Sequence, residues 1–261
     1  MKFLILGDGS AGKRHAGHLA SRGHEVEILG PFDRSTTSGF HGIVIATPPE
    51  FHERTLTNYD DWNILCEGPC TWLPQPNTHV QMMASNWRFV PALQAFKKRL
   101  TNPLLAHFWF DYDLNRWRKD FDPTKSCYYW SGHDLINVHE VDMAFWFFGP
   151  AERLSVEKIY TGKSRECDGF QMLIKHRSGV VSSICSSWHS QHYRRGVYVV
   201  QRDGTVEETS WKTPADDPTV NASYGALVDY WLDHIERRDP LIAPNLLDGY
   251  RAYKALQGVC I

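Results

Sequence analysis

The segment that most constrains the fold runs from Lys2 to His15 and reads KFLILGDGSAGKRH. It opens with a short apolar run, which is typical of a buried parallel strand, and a helical pattern follows soon after. Between the two, Gly7, Gly9 and Gly12 have GxGxxG spacing. In that motif the first glycine permits a tight turn, the second lets backbone approach a pyrophosphate, and the third lets helix and strand pack closely. The segment therefore predicts a dinucleotide site at a helix N-terminus, with a plain glycine-rich turn as the alternative.

The rest of the chain shows two successive patterns. Up to residue 86, apolar strand patterns alternate with helical or loop segments, which predicts a doubly wound parallel sheet. The later strands of that sheet are predicted at residues 25–29, 42–46, 63–66 and 80–84. Beyond residue 86, period-two runs are joined by tight turns at Gly179 and Gly204, which predicts antiparallel pairing. We therefore expect a shortened α/β Rossmann domain over residues 1–86 and an α+β domain with an open, mainly antiparallel sheet over residues 87–261.

Composition narrows the possible partners and locations. The 261 residues carry a net charge of −2 at pH 7, which gives no reason to expect a nucleic-acid or anionic-membrane partner. No segment approaches the ~18–20 apolar residues of a membrane span, and no signal-peptide pattern is present. The six cysteines are scattered without a zinc pattern, so we expect reduced thiols, a cytoplasmic protein and no bound metal. The ten tryptophans fit either an aromatic core or a sugar-stacking cleft.

Six segments carry a further pattern: GDGSAGKRH at 7–15, IATPPEFH at 45–52, CEGP at 66–69, NWRF at 86–89, HEVDMAFWFFG at 139–149 and DYWLDHIERRDPLIAPNLLDGYRAYKAL at 229–256. In this order they resemble the glucose–fructose oxidoreductase / inositol dehydrogenase (Gfo/Idh/MocA) family, most of all its members associated with sugar or surface-polysaccharide biosynthesis. The resemblance implies a Rossmann domain followed by an open-sheet domain, and an NAD or NADP cofactor. It also implies oxidation or reduction of a small sugar-like substrate by a homo-oligomer that forms through the sheet of the second domain.

The resemblance places the cofactor along the first domain. The implied cofactor residues are Gly7, Asp8, Gly9, Ser10, Ala11, Gly12, Thr47, Pro48, Pro49, His52 and Glu67. At the adenosine end, Gly30 follows the second strand. A dinucleotide-binding fold often has an acidic residue at this position, which would repel a 2′-phosphate. Arg34 and Ser35 are therefore predicted to contact that phosphate. We expect NADP ahead of NAD, with NAD left open.

Catalysis is predicted in a helix over residues 134–148. Hydride exchange needs a group that takes or gives the hydroxyl proton, and His139 matches the family's histidine. Asp142, three residues on, would orient the imidazole; the alternative is a buried histidine bonded to Asp142 for packing alone. The predicted substrate residues are Arg88, Trp117, His133 and Asp134.

One departure from the family pattern bears on activity. The lysine of the family's Glu-Lys-Pro segment, its usual proton-relay and substrate-orienting residue, is Gly68 in this chain. The expected function is an NAD(P)-dependent oxidoreductase that acts on a sugar-like hydroxyl or carbonyl. Two alternatives stay open: a cofactor-binding member that has lost turnover, and an imine or enamine reductase, for which a weaker proton donor suffices.

Overall fold

The computed structural model describes residues 1–30, 39–75, 78–113, 138–162, 167–212 and 218–261. The described residues form two compact units. The first unit comprises Met1–Phe89 and Ala222–Tyr250, and the second comprises Val90–Asn221 and Arg251–Ile261. Each unit is built on its own sheet.

The first unit holds a five-stranded parallel sheet in the order β2-β1-β3-β4-β5. Its strands are β1 (Lys2–Leu6), β2 (Glu25–Leu29), β3 (Gly42–Ile45), β4 (Ile64–Cys66) and β5 (Gln81–Met83). Helix α1 (Ser10–Ala20) joins β1 to β2, and helix α2 (His52–Asn58) follows β3. The strand order reverses between β1 and β3, which is where a doubly wound sheet binds its ligand. The predicted parallel sheet is therefore confirmed.

Helix α5 (Pro218–Arg237) packs against this first sheet, although it comes much later in the chain. Its apolar stripe, which includes Leu227 and Trp231, lies in one buried cluster with Phe3 and Val44. The ring centroids of Phe3 and Trp231 are 5.4 Å apart. Residues 222–250 lie within the expected second domain, 87–261, whereas the structure groups them with the first unit. The difference arises because the stripe is the apolar cover for β1 and β3.

The second unit holds a six-stranded sheet in the order β11-β10-β6-β9-β8-β7. Its strands are β6 (Pro103–Asp113), β7 (Ala151–Ile159), β8 (Gly169–His176), β9 (Val181–Ser187), β10 (His189–Gln201) and β11 (Val206–Ser210). Gly179 and Gly204 have φ of +88° and stand at the two predicted hairpin turns, a conformation that favours glycine. The predicted, mainly antiparallel sheet is confirmed.

One pairing in this sheet departs from the order of the strands along the chain. β6 lies between β9 and β10, parallel to β9 and antiparallel to β10. Only Trp188 separates β9 from β10, and the register of β10 shifts between His189 and Arg194 where it passes the end of β6. The sequence indicates consecutive strands but contains no local signal for this insertion.

Helices α3 (Pro91–Arg99) and α4 (Val138–Phe148) cover one face of the second sheet. The ring of Phe147 on α4 lies 5.7 Å from Phe96 on α3 and 6.1 Å from Phe108 on β6. The first residues of the helix predicted at 134–148 lie outside the described residues, and the described helix begins at Val138.

A buried ion pair fixes α4 to the sheet. Arg195 on β10 donates from Nε to the Glu140 Oε1 atom at 2.6 Å, and the two residues are only 6% and 1% exposed. The guanidinium also lies 4.2 Å from the ring centroid of Phe110. Burial raises the pKa of Glu140, and the neighbouring guanidinium opposes that shift. Because Glu140 follows His139 directly, this pair also fixes the start of the helix that carries the predicted catalytic residues.

Replacing Arg195 by methionine should leave the Glu140 carboxylate buried without its cation. We expect the free energy of unfolding, measured by urea denaturation at pH 7, to fall by ~3–5 kcal/mol. Since burial raises the pKa of Glu140, the folded variant holds a proton that the unfolded chain releases. The loss should therefore be smaller below about pH 4 and grow as the pH rises through the raised pKa.

Two controls accompany this measurement. The double variant Glu140→Leu/Arg195→Met removes both charges and should recover most of the loss. Arg237→Met breaks an exposed pair, in which Arg237 Nη2 lies 2.9 Å from Asp233 Oδ1, and should cost at most ~1 kcal/mol. An Arg195→Met loss that is equal at pH 4 and pH 7 would contradict the assigned role of the carboxylate.

Candidate functional site

Two of the glycines after β1, Gly7 and Gly12, stand where a larger residue would not fit. Gly7 has φ of +114°, and a Cβ atom there would lie 2.4 Å from the Ala46 carbonyl oxygen. A Cβ atom on Gly12 would lie 1.9 Å from the Gly7 carbonyl oxygen. These two glycines therefore let α1 begin directly against the end of β1 and beside β3.

Gly9 differs from its two neighbours in the motif. It has an ordinary φ of −70°, and a Cβ atom there would meet no described residue within 4 Å other than its neighbours in the chain. Gly9 is also the N-cap of α1, with no side-chain cap and no acidic residue in the first turn of the helix. The first N–H groups of a helix attract anions. The open space at Gly9 is thus suited to a phosphate group that approaches the backbone closely.

The predicted residues around this turn differ in exposure. Asp8 and Ser10 are exposed and Ala11 is half-buried, so all three line the surface of the turn. Thr47, directly after β3, is buried, and its hydroxyl Oγ1 has no hydrogen-bond partner among the described residues. Pro48 and Pro49 follow it at the half-buried surface. A buried hydroxyl without a protein partner is a suitable contact for a polar ligand.

His52 lies behind this surface, because its ring is completely buried. Its Nδ1 atom is 2.8 Å from the Pro69 carbonyl oxygen, and its Nε2 atom is 2.7 Å from the Thr47 carbonyl oxygen. Burial lowers the pKa of the ring. The imidazole therefore joins the loop after β3 to the loop after β4. The resemblance implies cofactor contact for His52, whereas this geometry favours a supporting role.

Glu67 follows β4 directly and keeps part of its side chain exposed. Its Oε1 atom lies 2.6 Å from Nε2 of His15 in the second turn of α1. The sequence analysis names Glu67 but not His15. The helical spacing could have pointed to His15, because it lies three residues after Gly12 and therefore on the inward face of α1.

The predicted catalytic residues lie in the second unit. His139 is half-buried near the start of α4, and Asp142 is completely buried one helical turn later. Arg88 lies in the first unit, where it is largely buried and its Nη1 atom is 3.4 Å from Asp248 Oδ2. That contact ties Arg88 to the first turn of helix α6 (Leu246–Leu256). Arg34, Ser35, Trp117, His133 and Asp134 lie outside the described residues.

Asn245 caps the first turn of α6. The side-chain oxygen of Asn245 accepts a hydrogen bond from the Asp248 N–H at 2.9 Å, as an N-cap does. This cap fixes the Asp248 carboxylate that faces Arg88.

Two further observations concern the described part of the chain. Cys66, Cys70, Cys167, Cys185 and Cys260 carry free thiols. Among the helices of the described ranges, none combines the length and the apolar character needed to cross a bilayer.

The chain was compared with known proteins. No family model and no curated protein sequence matches it. Three solved structures are similar to it in fold. A myo-inositol dehydrogenase from Corynebacterium glutamicum has 17% identity over 98% of this chain and 94% of that chain, with a TM-score of 0.75. Levoglucosan dehydrogenase in complex with NADH and levoglucosan has 15% identity over 99% and 96%, with a TM-score of 0.78. GenD2 from gentamicin A biosynthesis in complex with NAD has 15% identity over 99% and 93%, with a TM-score of 0.76.

These likenesses extend over nearly the whole chain. They agree with the order of elements in the structure, a parallel Rossmann-type sheet followed by a mixed, mainly antiparallel one. The chain therefore has the fold that these dehydrogenases share, as the resemblance predicts.

Proposed function

We propose that this chain is a nicotinamide-dinucleotide-dependent oxidoreductase that acts on a hydroxyl or carbonyl group of a small sugar-like substrate. The observation that carries the proposal is the open position at Gly9, at the N-terminus of a helix without acidic residues in its first turn. The fold shared with a levoglucosan dehydrogenase that was solved with NADH and levoglucosan supports it.

The residues present fit a dinucleotide along the edge of the first sheet. Residues 7–12 would hold the pyrophosphate, because the glycine turn exposes backbone N–H groups and offers room at Gly9. Thr47, Pro48, Pro49 and Glu67 would line the nicotinamide half, since they follow β3 and β4 on the far side of the strand reversal. The chemistry that such a cofactor supplies is hydride exchange with a substrate carbon.

The preferred form of the cofactor stays a prediction. Arg34 and Ser35, which would contact a 2′-phosphate, lie outside the described residues. Gly30, after β2, brings no acidic side chain that would repel that phosphate. NADP is therefore still proposed ahead of NAD, although two of the similar structures contain NAD or NADH.

His139 would exchange the proton of the substrate hydroxyl, and Asp142 would orient its imidazole. The two residues are one helical turn apart on α4, and the buried pair of Glu140 and Arg195 fixes this helix on the second sheet. A rigid helix is a suitable support for a proton-transfer residue, because catalysis requires the group within hydrogen-bond reach. Arg88, Trp117, His133 and Asp134 remain the proposed substrate residues.

Gly68 bears on whether the chain turns substrate over. A lysine at this position would place a cation beside Glu67. The alternatives of lost turnover and of imine or enamine reduction both arise from this glycine, and the comparisons support neither. Substitution of Gly68 by lysine therefore tests the oxidoreductase proposal.

We also propose that copies of the chain associate through the face of the second sheet opposite α3 and α4. One cross-strand row on that face contains Tyr198, His107, Ser183 and Leu173. The ring centroids of His107 and Tyr198 are 5.7 Å apart, and Leu173 is 52% exposed. A partly exposed aromatic and aliphatic row is the kind of surface that another copy could bury.

Cofactor binding is tested first with Gly9→Val. Apart from the chain neighbours of Gly9, no atom of the described residues lies within 4 Å of the added Cβ, so the fold should persist while a side chain occupies the space for the pyrophosphate. We expect calorimetry with NADPH and NADH to show at least tenfold weaker binding, which is about 1.4 kcal/mol. The wild-type titrations also decide between the two cofactors.

The matched control for this experiment is Gly17→Val on the same helix. Outside its own helix, a Cβ atom on Gly17 also meets no described residue within 4 Å, but Gly17 is two turns away from the cap. It should bind as the wild type does. Unchanged affinity in a folded Gly9→Val protein would contradict the proposed site.

Catalysis is tested with His139→Ala. Turnover on a panel of sugars and polyols should fall by ~10²–10⁴ while cofactor affinity is retained, because a positioned acid or base contributes a factor of this size. A variant as fast as the wild type would exclude His139. If neither the wild type nor His139→Ala turns over any substrate, Gly68→Lys distinguishes a decayed dehydrogenase from a protein with a binding role. A gain of activity would indicate a decayed dehydrogenase, and an inactive Gly68→Lys protein would favour a binding role.

Association is tested by light scattering at micromolar concentration. We expect the wild type to have at least twice the mass of one chain, and Leu173→Glu to shift it toward a single chain. A charge in an apolar contact is costly to bury. Leu241→Glu, which alters a more exposed leucine in the first unit, should leave the mass unchanged. A monomeric wild type would overturn the proposal.

A further inference from the structure

Glu67 has a fixed backbone and a side chain at the surface of the first unit. Its N–H donates to the Ile45 carbonyl oxygen at 2.9 Å, which ties the end of β4 to the end of β3. Its side chain is 20% exposed. A carboxylate on a short surface segment can adopt several rotamers unless a second group restrains it.

His15 is a group that restrains the Glu67 carboxylate. The close approach of α1 at Gly12 brings the second turn of the helix to the strand ends, where His15 is completely buried. Its Nε2 atom lies 2.6 Å from Glu67 Oε1, a short distance that is typical of a charge-assisted hydrogen bond. The edge of the Tyr224 ring packs against the imidazole, with centroids 6.4 Å apart, and Arg14 covers that tyrosine.

The surroundings of the second ring nitrogen indicate which nitrogen of His15 carries the proton. His15 Nδ1 is buried and has no hydrogen-bond partner among the described residues. A proton there would be an unsatisfied buried donor, which costs more than an unused lone pair. The tautomer with its proton on Nε2 is therefore favoured, and it donates to an ionised Glu67. One carboxylate oxygen is held by His15, which sets the direction of the other.

The sheet order indicates which half of the cofactor this carboxylate serves. In a doubly wound sheet the dinucleotide crosses the strand reversal, with its adenosine half toward β2. Glu67 follows β4, two strands beyond β1 on the opposite side. Its carboxylate can accept hydrogen bonds from ribose hydroxyls of the nicotinamide half.

We propose that His15 is a positioning residue, which holds the Glu67 carboxylate toward the nicotinamide ribose; the inference rests on the proposed function. A positioning role differs from a purely structural role of His15 in one respect. Substitution of His15 should weaken binding of the nicotinamide half of the cofactor and leave binding of the adenosine and pyrophosphate half unchanged.

The experiment uses two variants that both replace His15 by a residue with a side-chain amide. In His15→Gln the side-chain amide nitrogen can occupy the place of Nε2, whereas in His15→Asn it can occupy only the place of Nδ1 and cannot reach Glu67. Calorimetry with NADH and NADPH, and with ADP, which lacks the nicotinamide ribose, measures each half. We expect His15→Asn to weaken binding of the tighter dinucleotide about tenfold, with ADP unchanged. His15→Gln should stay near the wild type.

A pair of variants tests whether the two residues act together. Glu67→Gln should weaken dinucleotide binding to a similar degree, and adding His15→Asn to it should cause little further loss, because coupled residues are not additive. His18→Leu is the control, since His18 lies one turn further along α1 near Gly225. If His15→Asn fails to fold, His15→Leu serves in the same comparison.

The outcomes separate this inference from the proposed function. A wild type that binds neither NADH nor NADPH would overturn the proposed function and this inference with it. A wild type that binds, with His15→Asn unchanged, would overturn the inference alone. Equal losses for ADP and the dinucleotide would do the same, because they would point to damage of α1 as a whole.

Discussion

The contact between Gly12 and the Gly7 carbonyl determines how close α1 lies to the first sheet. A Cβ atom at Gly12 would be 1.9 Å from that oxygen, so only glycine permits the observed approach. The approach has two effects on the site. It places the free N–H groups of the helix beside the open space at Gly9, and it brings His15 within hydrogen-bond reach of Glu67. The proposed phosphate site at Gly9 and the orientation of the Glu67 carboxylate therefore depend on the same close packing.

The fold was predictable from the sequence wherever its signal is local. The glycine turn, the strands with their continuous or period-two patterns, the hairpin glycines and the Asn245 cap all act over a few residues. Two features depend on partners that are distant along the chain, and the sequence gives no cue to them. One is the insertion of β6 between β9 and β10. The other is the packing of α5 on the first sheet, because an apolar stripe indicates that a face is buried but not which sheet covers it.

The candidate site was predictable to a similar extent. Motif spacing predicted the glycine turn, and the family resemblance named Thr47 and Glu67, because strand ends and glycines carry a recognisable local pattern. The interactions that fix these residues join positions far apart in sequence: His15 and Glu67 differ by 52 positions, His52 and Pro69 by 17, and Glu140 and Arg195 by 55. One cue was available for the last pair. A glutamate in a helix that is apolar nearly all round must find a cation when it is buried.

The split of the first unit between two stretches of the chain has a consequence for how the protein is made. Phe3 is synthesised early, yet Trp231, which packs on it, emerges only after most of the second unit. On the ribosome, β1 and β3 must wait with one apolar face uncovered while residues 90–221 are added. Folding of the second unit first would shorten the effective loop between the two stretches and lower the entropy lost when they meet. The order of synthesis thus leaves the sheet that begins the chain without its apolar cover until the stretch around Trp231 has been made.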